Sequence, residues 1–333
     1  MSFHIHHLSG DNSWLLTFSN NPTQRLSPED TTLTLLIDPW FKEDGIDYHP
    51  WFLRQQHTTS PQFHNFSSLT EFLSSDSDPR KEVDGIIITF EGSDHLHKPT
   101  LDEVGPDVPF FAFPRAAAIL RSWGRKFVYD ISDRATDVSL IITDKLLEAD
   151  VRNKREDPSR KSLIESLDIR LSFAHLNTGI MASVDCLTQG ALALSFAKGD
   201  RERGGLVYAP HSAPLDAIKH WKEKEESITA KQLELFAYLA NWDVVRVPRI
   251  VGGPIVSQGA PGNSKVVQEL SPRYWIRTHD ELTILTGLVS YLPTRERKSK
   301  QEAEAELPES STKILEMEAG ETLAMPLVVA AAA

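Results

Sequence analysis

The run VDGIIIT at residues 83–89 constrains the fold more than any other segment of the chain. Its apolar positions are consecutive and largely β-branched, which is typical of a strand that lies inside a sheet and is covered on both faces. Such a strand needs further layers of structure around it. A chain of 333 residues is long enough to provide those layers.

The rest of the chain alternates between strand and helix signals. Period-two and short apolar runs predict strands at 13–17, 32–37, 126–129, 138–143, 169–174, 191–196, 205–208, 243–248 and 274–277. Apolar spacing predicts helices at 69–73, 116–123 and 265–270, and helical spacing continues along 214–240. Two runs of strands, each completed by helices, predict an α/β arrangement with a site built from loops at one sheet edge.

Composition limits the partners and the compartment. A formal net charge of -12 argues against general binding to nucleic acid or to anionic membranes. The single Cys186 excludes an intramolecular disulfide framework and a multi-cysteine zinc site, and we interpret it as a buried structural residue. No segment reaches the length of about 20 apolar residues that spans a bilayer. These features predict a cytoplasmic protein with a small-molecule substrate, and they leave its oligomeric state undetermined.

The segment TFEGSDHLHKPTL, residues 89–101, carries the clearest chemical signal because it directly follows the buried run. An Asp94-His95 pair in a loop that leaves a core strand can hold a divalent metal through a carboxylate oxygen and an imidazole nitrogen. The alternative is that Asp94 caps a helix beginning near Leu96 and that His95 is an exposed loop residue.

Three later strand candidates also end in histidine, namely His175, His211 and His279. Each of them alone is more often an ordinary loop or core residue. Together with His95, they place imidazoles at the ends of four apolar runs, as a metal site at a loop edge requires. The N-terminal His4, His6 and His7 are better explained by an exposed first strand than by a second metal site.

Six segments of the chain resemble those of one known family and occur in the family's order, namely SWLLTF, LLIDPWF, VDGIIITFEGSDHLHKPTL, AHLNTG, NWDVVRVP and SPRYWIRTHDE. They resemble the metallo-β-lactamase superfamily, in particular its branch of L-ascorbate-6-phosphate lactonases. The resemblance implies a four-layer αββα sandwich with the site along one edge. It covers roughly residues 4–292, so we predict one domain over residues 1–293. The charged composition that follows predicts a linker and C-terminal tail over residues 294–333.

The departures from the family's motif decide the expected metal count. The signature His-x-His-x-Asp-His here reads Phe90 to His95, so both histidines of the first metal site are replaced, by Phe90 and Gly92. The resemblance aligns His175 with the third ligand of that metal, His211 with the bridging aspartate and His279 with the last ligand. A neutral imidazole has one lone pair, so His211 cannot bridge two metals.

We therefore predict at most one divalent metal, zinc by preference, held by Asp94, His95, His211 and His279. Asp94 and His175 are the predicted catalytic residues of a hydrolase that activates water against a lactone, ester, amide or phosphoester. The alternative is a catalytically inactive binding or scaffolding module. Asp38 and Asp84 are expected either to orient ligands or to cap strand ends. Four aromatic residues are expected either to line a pocket or to pack in the core, namely Trp40, Phe41, Trp51 and Phe52.

Overall fold

The computed structural model describes the chain except residues 24, 76, 77, 79, 132–138, 176–189, 200–202, 249–254, 308, 309 and 327–333. Cys186 lies outside the described residues, so the prediction made for it stays a prediction.

The first large sheet has seven strands in the spatial order β20-β1-β2-β3-β6-β7-β8. Its strands are β1 (Ser2–His7), β2 (Trp14–Ser19), β3 (Thr32–Ile37), β6 (Gly85–Ile88), β7 (Phe110–Ala112), β8 (Val128–Asp130) and β20 (Thr322–Pro326). The buried run predicted at 83–89 is β6, and it lies between β3 and β7 with parallel pairing on both sides. Every residue of β6 is buried, as its unbroken apolar pattern predicts.

The second large sheet also has seven strands, in the order β19-β16-β13-β12-β11-β10-β9. Its strands are β9 (Leu140–Ile141), β10 (Leu167–Ala174), β11 (Ala191–Lys198), β12 (Arg203–Ala209), β13 (Leu233–Ala240), β16 (Tyr274–Ile276) and β19 (Lys313–Leu315). Strands β12, β13 and β16 are parallel neighbours. Their carboxyl ends therefore reach the same edge of the sheet.

Helices cover the outer faces of both sheets. They are α1 (Phe66–Leu73), α2 (Lys98–Asp102), α3 (Pro114–Ser122), α4 (Thr143–Arg152), α5 (Pro158–Glu165), α6 (Leu215–Thr229), α7 (Gly259–Leu270) and α8 (Lys300–Ala305). One apolar cluster fills the space between the sheets, for example Phe3, Leu35 and Phe196. Two further clusters lie between each sheet and its helices. This is the expected αββα sandwich. No described helix combines the length and the apolar character needed to cross a membrane.

The helical spacing predicted along 214–240 holds only for its first half. Helix α6 ends at Thr229, and the remaining apolar residues belong to β13. The sequence LELFAYLA is buried at nearly every position of β13, because the strand lies between β12 and β16 and faces apolar layers on both sides. A run that is apolar at most positions fits either periodicity, which is why the spacing misled the prediction.

The region predicted as a charged linker and C-terminal tail, residues 294–333, contains paired structure. Strand β18 (Thr294–Glu296) pairs with β14 (Val244–Arg246), which also pairs with β15 (Ile255–Ser257). Beyond it, β19 joins the second sheet through β16, and β20 joins the first sheet through β1. The linker prediction is therefore wrong for these segments, because backbone pairing with distant strands overrides their charged composition.

The N-terminal histidines are also placed differently from the prediction. Strand β1 lies between β2 and β20, and all of its residues are buried. His6 is held at Nδ1 by the Thr322 hydroxyl, 2.5 Å away, and at Nε2 by the Gln62 side chain, 2.6 Å away. The exposed first strand predicted from the sequence is wrong, since β20 covers the edge that would otherwise face solvent.

A second small sheet, besides that of β14, β15 and β18, lies beside the sandwich. It contains β4 (Gly45–Asp47), β5 (Leu53–Gln56) and β17 (Ile284–Thr286), with β5 in the centre. Strands β4 and β5 form an antiparallel hairpin whose turn spans residues 48–52. This hairpin follows Asp38 at the end of β3 and so lies close to the expected site.

Candidate metal centre

The strand ends of the two sheets meet at one edge of the sandwich. Asp38 follows β3, and the loop carrying His95 follows β6 in the same sheet. His211 follows β12 and His279 follows β16 in the other sheet. Because these strands run parallel within each sheet, their carboxyl ends deliver side chains to a common edge.

Three histidines converge at this edge. One ring nitrogen each from His95, His211 and His279 lies within 4.8 Å of the others. The ring centroids are 5.1 Å apart for His95 and His211, 5.1 Å for His95 and His279, and 4.6 Å for His211 and His279. Three of the four predicted metal ligands therefore lie close together at this edge.

Asp94 faces the same point. Its Oδ2 lies 3.9 Å from Nε2 of His95 and 3.7 Å from Nε2 of His279. The Asn12 amide donates a 2.6 Å hydrogen bond to the Asp94 carbonyl and so holds the backbone of this loop. Asp94 does not cap a helix: the next helix, α2, is capped by the side chain of His97.

Asp38 sets the orientation of His95. The Oδ2 atom of Asp38 lies 2.7 Å from Nδ1 of His95, and both side chains are fully buried. The carboxylate of Asp38 also accepts hydrogen bonds from the backbone N–H and the hydroxyl of Thr89. A carboxylate at Nδ1 fixes the ring tautomer and leaves Nε2 of His95 facing the centre. Of the two roles expected for Asp38, the contacts favour the orienting one.

Asp11 orients His279 in the same way, and the sequence analysis did not predict this role. Asp11 lies in the β1–β2 turn, and its Oδ2 is 3.0 Å from Nδ1 of His279. The backbone N–H of His279 also donates to the Asp11 carbonyl at 2.9 Å. The sequence feature that could have indicated Asp11 is the polar run Asp11-Asn12-Ser13 between two apolar strands. The other predicted site residues also follow apolar strands.

The electrostatics of the centre follow from burial and from these carboxylates. Burial opposes protonation of His95, but Asp38 and Asp94 outweigh it and raise the pKa of His95 to about 9. Burial, with the neighbouring His279 and His95, holds the pKa of His211 well below its usual range. Burial also raises the pKa of Asp47, and the charge of Asp94 adds to that effect. A metal that binds Nε2 of His95 must displace a proton, so its affinity rises with pH.

The side chains fit a divalent metal. Nε2 of His95 and Nε2 of His211 are buried and have no hydrogen-bond partner in the described part of the chain. Buried polar atoms without a partner are costly, and a shared cation would satisfy them. Three imidazoles and one carboxylate are also a donor set that zinc accepts. Asp94, His95, His211 and His279 are therefore the residues that would hold it.

Phe90 and Gly92 lie beside the histidines. The Phe90 ring centroid is 5.1 Å from that of His211 and 5.5 Å from that of His95, in both cases edge to face. The segment is not extended: the backbone turns, and the N–H groups of His95 and Leu96 both donate to the Gly92 carbonyl. A Cβ at residue 92 would lie 2.7 Å from Oδ1 of Asp94.

His175 lies outside the convergent group. It follows β10, and its ring centroid is 4.4 Å from that of Phe173. It is not among the described residues whose ligand atoms come within 4.8 Å of one another. Its predicted catalytic role remains a prediction.

The remaining candidates have structural contacts. Asp84 accepts from the Thr34 N–H and pairs with Arg160 at 2.6 Å, so it ties helix α5 to the sheet. Trp40 and Phe41 are fully buried and pack in the core, whereas Phe52 lines a cavity described below. Trp51 takes neither of the two roles that the sequence left open, because it is exposed and does not line the cavity.

The whole architecture can be compared with solved structures. An isothiocyanate hydrolase from Delia radicum gut bacteria aligns over 96% of this chain and 98% of its own, with a TM-score of 0.55 and 16% identity. The metallo hydrolase Igni18 from Ignicoccus hospitalis aligns over 98% and 99%, with a TM-score of 0.54 and 13% identity. A possible metal-dependent hydrolase from Veillonella parvula aligns over 97% and 99%, with a TM-score of 0.54 and 13% identity.

The chain has the metallo-β-lactamase fold. At these identities the likeness shows the fold alone. No protein-family model matches the chain, and no curated protein matches it. Within the metallo-β-lactamase fold, the resemblance to the lactonase-like branch stays a prediction. In this chain the convergent histidine group has an aromatic ring, that of Phe90, beside it.

Proposed function

We propose that this chain is a metal-dependent hydrolase that works with a single divalent metal, zinc by preference. The observation that carries the proposal is the convergence of Asp94 with His95, His211 and His279, in which two buried imidazole nitrogens have no hydrogen-bond partner among the described residues. The likeness in fold to one protein described as a metallo hydrolase and to another described as a possible metal-dependent hydrolase supports the same reaction class.

Each residue has a distinct role in this proposal. Asp38 and Asp11 orient His95 and His279 so that their Nε2 atoms face the centre. When bound, a divalent metal lowers the pKa of a coordinated water toward neutrality and polarises the group under attack. Asp94 accepts the proton of the attacking water at Oδ1, and His175 binds the substrate or protonates the leaving group.

The bond changes are those of a simple hydrolysis. Water adds to the electrophilic carbon of an ester, lactone or amide, and the bond from that carbon to the leaving oxygen or nitrogen breaks. The leaving group then takes a proton. An isothiocyanate, the substrate class named for one structural neighbour, offers a comparable electrophilic carbon and belongs in the substrate screen.

A second candidate function is a non-catalytic binding module that keeps the fold. The position of the Phe90 ring against His95 and His211 favours it, because the resemblance aligns this apolar ring with a histidine ligand of the family's first metal. Such a module would bind no metal tightly.

Metal content distinguishes the two candidates. The purified full chain is dialysed against metal-free buffer, loaded with zinc, dialysed again and analysed for metals. We expect at most one equivalent in the parent and much less in His211→Ala and His279→Ala. His175→Ala is the matched control, since this histidine also follows a strand but lies outside the convergent group. It should retain the metal and lose turnover.

The melting temperature gives an independent readout, because a metal that binds only the folded state raises it. Zinc should raise the melting temperature of the parent and of His175→Ala, but not that of His211→Ala. Two tightly bound equivalents would show that the ligand assignment is wrong. No bound metal after loading would overturn the hydrolase and favour the binding module.

A further inference from the structure

A cavity of about 800 Å³ lies directly beside the candidate metal centre. Phe90 and Asp94 belong to both: they line the cavity, and they also face the convergent histidines. A substrate whose reactive group reaches Asp94 would therefore have room for its remaining part in this cavity. Its volume falls in the range of about 300–1,000 Å³ that is usual for small-molecule sites.

The walls of the cavity are mostly apolar. They come from the β4–β5 hairpin on one side and from the segment between β6 and the end of α3 on the other. Their apolar residues include Ile46, Phe52, Leu53, Leu96, Ile119 and Trp123. Apolar side chains from several elements around an open space favour an apolar occupant, because its burial removes apolar surface from water.

The rim of the cavity exposes further aromatic surface. Tyr48 lines the opening with 95% of its surface exposed, and its backbone has the left-handed value φ 64°. That conformation is costly for a bulky residue, and such outliers concentrate at functional sites. Trp51, in the same turn, is also largely exposed although it does not line the cavity. Exposed aromatic residues next to a cavity are a feature of binding surfaces.

The charges around the cavity disfavour an anion. Lys98 is the only Lys or Arg among the described lining residues, and its ammonium lies 2.6 Å from both carboxylate oxygens of Asp102. Two other lining carboxylates also have cationic partners: Asp44 pairs with Arg54, and Glu91 pairs with Arg115.

Asp47 differs from these carboxylates. It accepts from the Ser93 N–H at 2.9 Å and from the Gln55 amide at 3.2 Å, and no ion pair to a Lys or Arg is found for it within the described ranges. Its negative charge therefore faces the cavity without a cation to offset it.

We infer that the substrate of the proposed hydrolase is an uncharged, apolar ester, lactone or amide, and that Asp47 excludes anionic substrates, phosphoesters included. The reaction named in this inference rests on the proposed function, whereas the preference of the cavity for uncharged molecules does not. It narrows the substrate classes that the sequence left open, because a phosphoester or a carboxylate would bring a second negative charge beside Asp47 and Asp94.

Binding to the metal-free full chain tests the preference without any turnover. The probes are 4-phenylbutan-1-ol and 4-phenylbutyrate, which share an apolar body and differ in charge, and affinity is measured by calorimetry. We expect the alcohol to bind at least about tenfold more tightly, as one like-charge contact at intermediate dielectric implies. Equal affinities, or tighter binding of the carboxylate, would overturn the inference.

Two variants locate the effect, each with a matched control. Asp47→Asn should reduce the preference for the alcohol severalfold, whereas Asp107→Asn, an exposed carboxylate outside the cavity, should leave it unchanged. Phe52→Ala should weaken binding of the alcohol about tenfold through lost apolar contact. Trp51→Ala removes a ring from the same turn but not from the cavity wall, and should not weaken binding. A preference that survives Asp47→Asn intact would overturn the role of Asp47.

Turnover separates this inference from the proposed function. The zinc-loaded chain is assayed with 4-nitrophenyl butyrate, with the anionic 4-nitrophenyl hemisuccinate and with bis(4-nitrophenyl) phosphate. We expect kcat/KM to be at least about tenfold higher for the neutral ester than for either anion. Faster turnover of an anion would overturn the substrate class while the hydrolase stands. No turnover at all, with the binding preference intact, would overturn the hydrolase while the cavity's preference stands.

Discussion

The Oδ2 atom of Asp11 lies 3.0 Å from Nδ1 of His279, across 268 residues of sequence. His279 has the left-handed backbone value φ 58°, and its N–H donates to the Asp11 carbonyl, so both the backbone and the ring of His279 are held by one short turn. The arrangement matches that of Asp38 with His95 on the other sheet. Each of these two candidate ligands thus has a carboxylate at Nδ1 that leaves Nε2 for the centre.

Removing the Asp11 carboxylate should weaken metal binding. In Asp11→Ala the ring of His279 loses the partner that fixes its tautomer and orientation, so the zinc affinity should fall by about 10- to 100-fold. A titration against a competing chelator measures it, and circular dichroism checks that the variant is folded. Asp11→Asn retains an acceptor oxygen and should lose less affinity. An unchanged zinc affinity in Asp11→Ala would show that Asp11 does not position a ligand.

Asp38 should contribute to stability as well as to metal binding. Asp38→Ala leaves the Thr89 N–H and Nδ1 of His95 buried without an acceptor, so the free energy of unfolding of the metal-free protein should fall by roughly 3 kcal/mol. Urea denaturation measures this change. Asp38→Asn keeps the volume and one acceptor, and the loss should be smaller. If the alanine variant unfolds at the same urea concentration as the parent, these hydrogen bonds do not stabilise the fold.

Gly92 should be required for the position of Asp94. Because a Cβ at residue 92 would lie 2.7 Å from Oδ1 of Asp94 and 3.0 Å from the Phe90 ring, Gly92→Ala must displace one of them. We expect a lower zinc affinity in Gly92→Ala. The double variant Gly92→Ala with Phe90→Ala gives the ring's space back, and it should recover part of the affinity. If Gly92→Ala binds zinc as tightly as the parent, the loop of residues 90–94 can accommodate a Cβ at residue 92 without displacing the Asp94 carboxylate from its position.

The close approach of residue 92 to Asp94 also limits how a second metal site could be restored. Phe90→His, Gly92→His and His211→Asp together should supply a second set of ligands with His175, but only if the Asp94 carboxylate shifts away from residue 92. Metal analysis of this triple variant should give two equivalents per chain. One equivalent would mean that Phe90 and Gly92 do not occupy the positions of the missing ligands.

The buried histidines of β1 should make the fold sensitive to acid. Burial lowers the pKa of His6 to about 4, against a usual value of 6.5. Below pH 6.5, His6 is protonated in the unfolded chain but stays neutral in the folded protein. The free energy of unfolding therefore falls as the pH falls toward 4, by roughly 3 kcal/mol in total.

Urea denaturation at pH 7, 6 and 5 tests this prediction. His6→Asn should show a weaker dependence of the free energy of unfolding on pH than the parent. His64→Asn replaces an exposed histidine and should retain the parent's dependence. Identical pH dependence in His6→Asn and the parent would show that His6 does not contribute to the loss of stability in acid.

Local pattern was sufficient for the layers and for part of the site. The consecutive apolar residues of β6 predicted a strand buried in a sheet, and the histidines that end β12 and β16 predicted a site at one edge. These features are written in adjacent residues, because burial on both faces leaves no polar position in a strand. They sufficed for an α/β arrangement of layers, whereas the αββα sandwich and the grouping of Asp94, His95, His211 and His279 were predicted from the resemblance to the metallo-β-lactamase superfamily.

Tertiary structure decided the features that depend on which distant segments meet. Strand β13 reads equally well as a helix, and only its place between β12 and β16 selects the strand. The segment after residue 293 is too charged to be predicted as sheet, yet β18, β19 and β20 pair with strands far away in the sequence. Asp11 and Asp47 look like ordinary turn residues, and their roles depend on His279 and on the cavity that folding places beside them. Hydrogen bonds and charge effects between distant residues arise only from that placement, so local periodicity carries no trace of them.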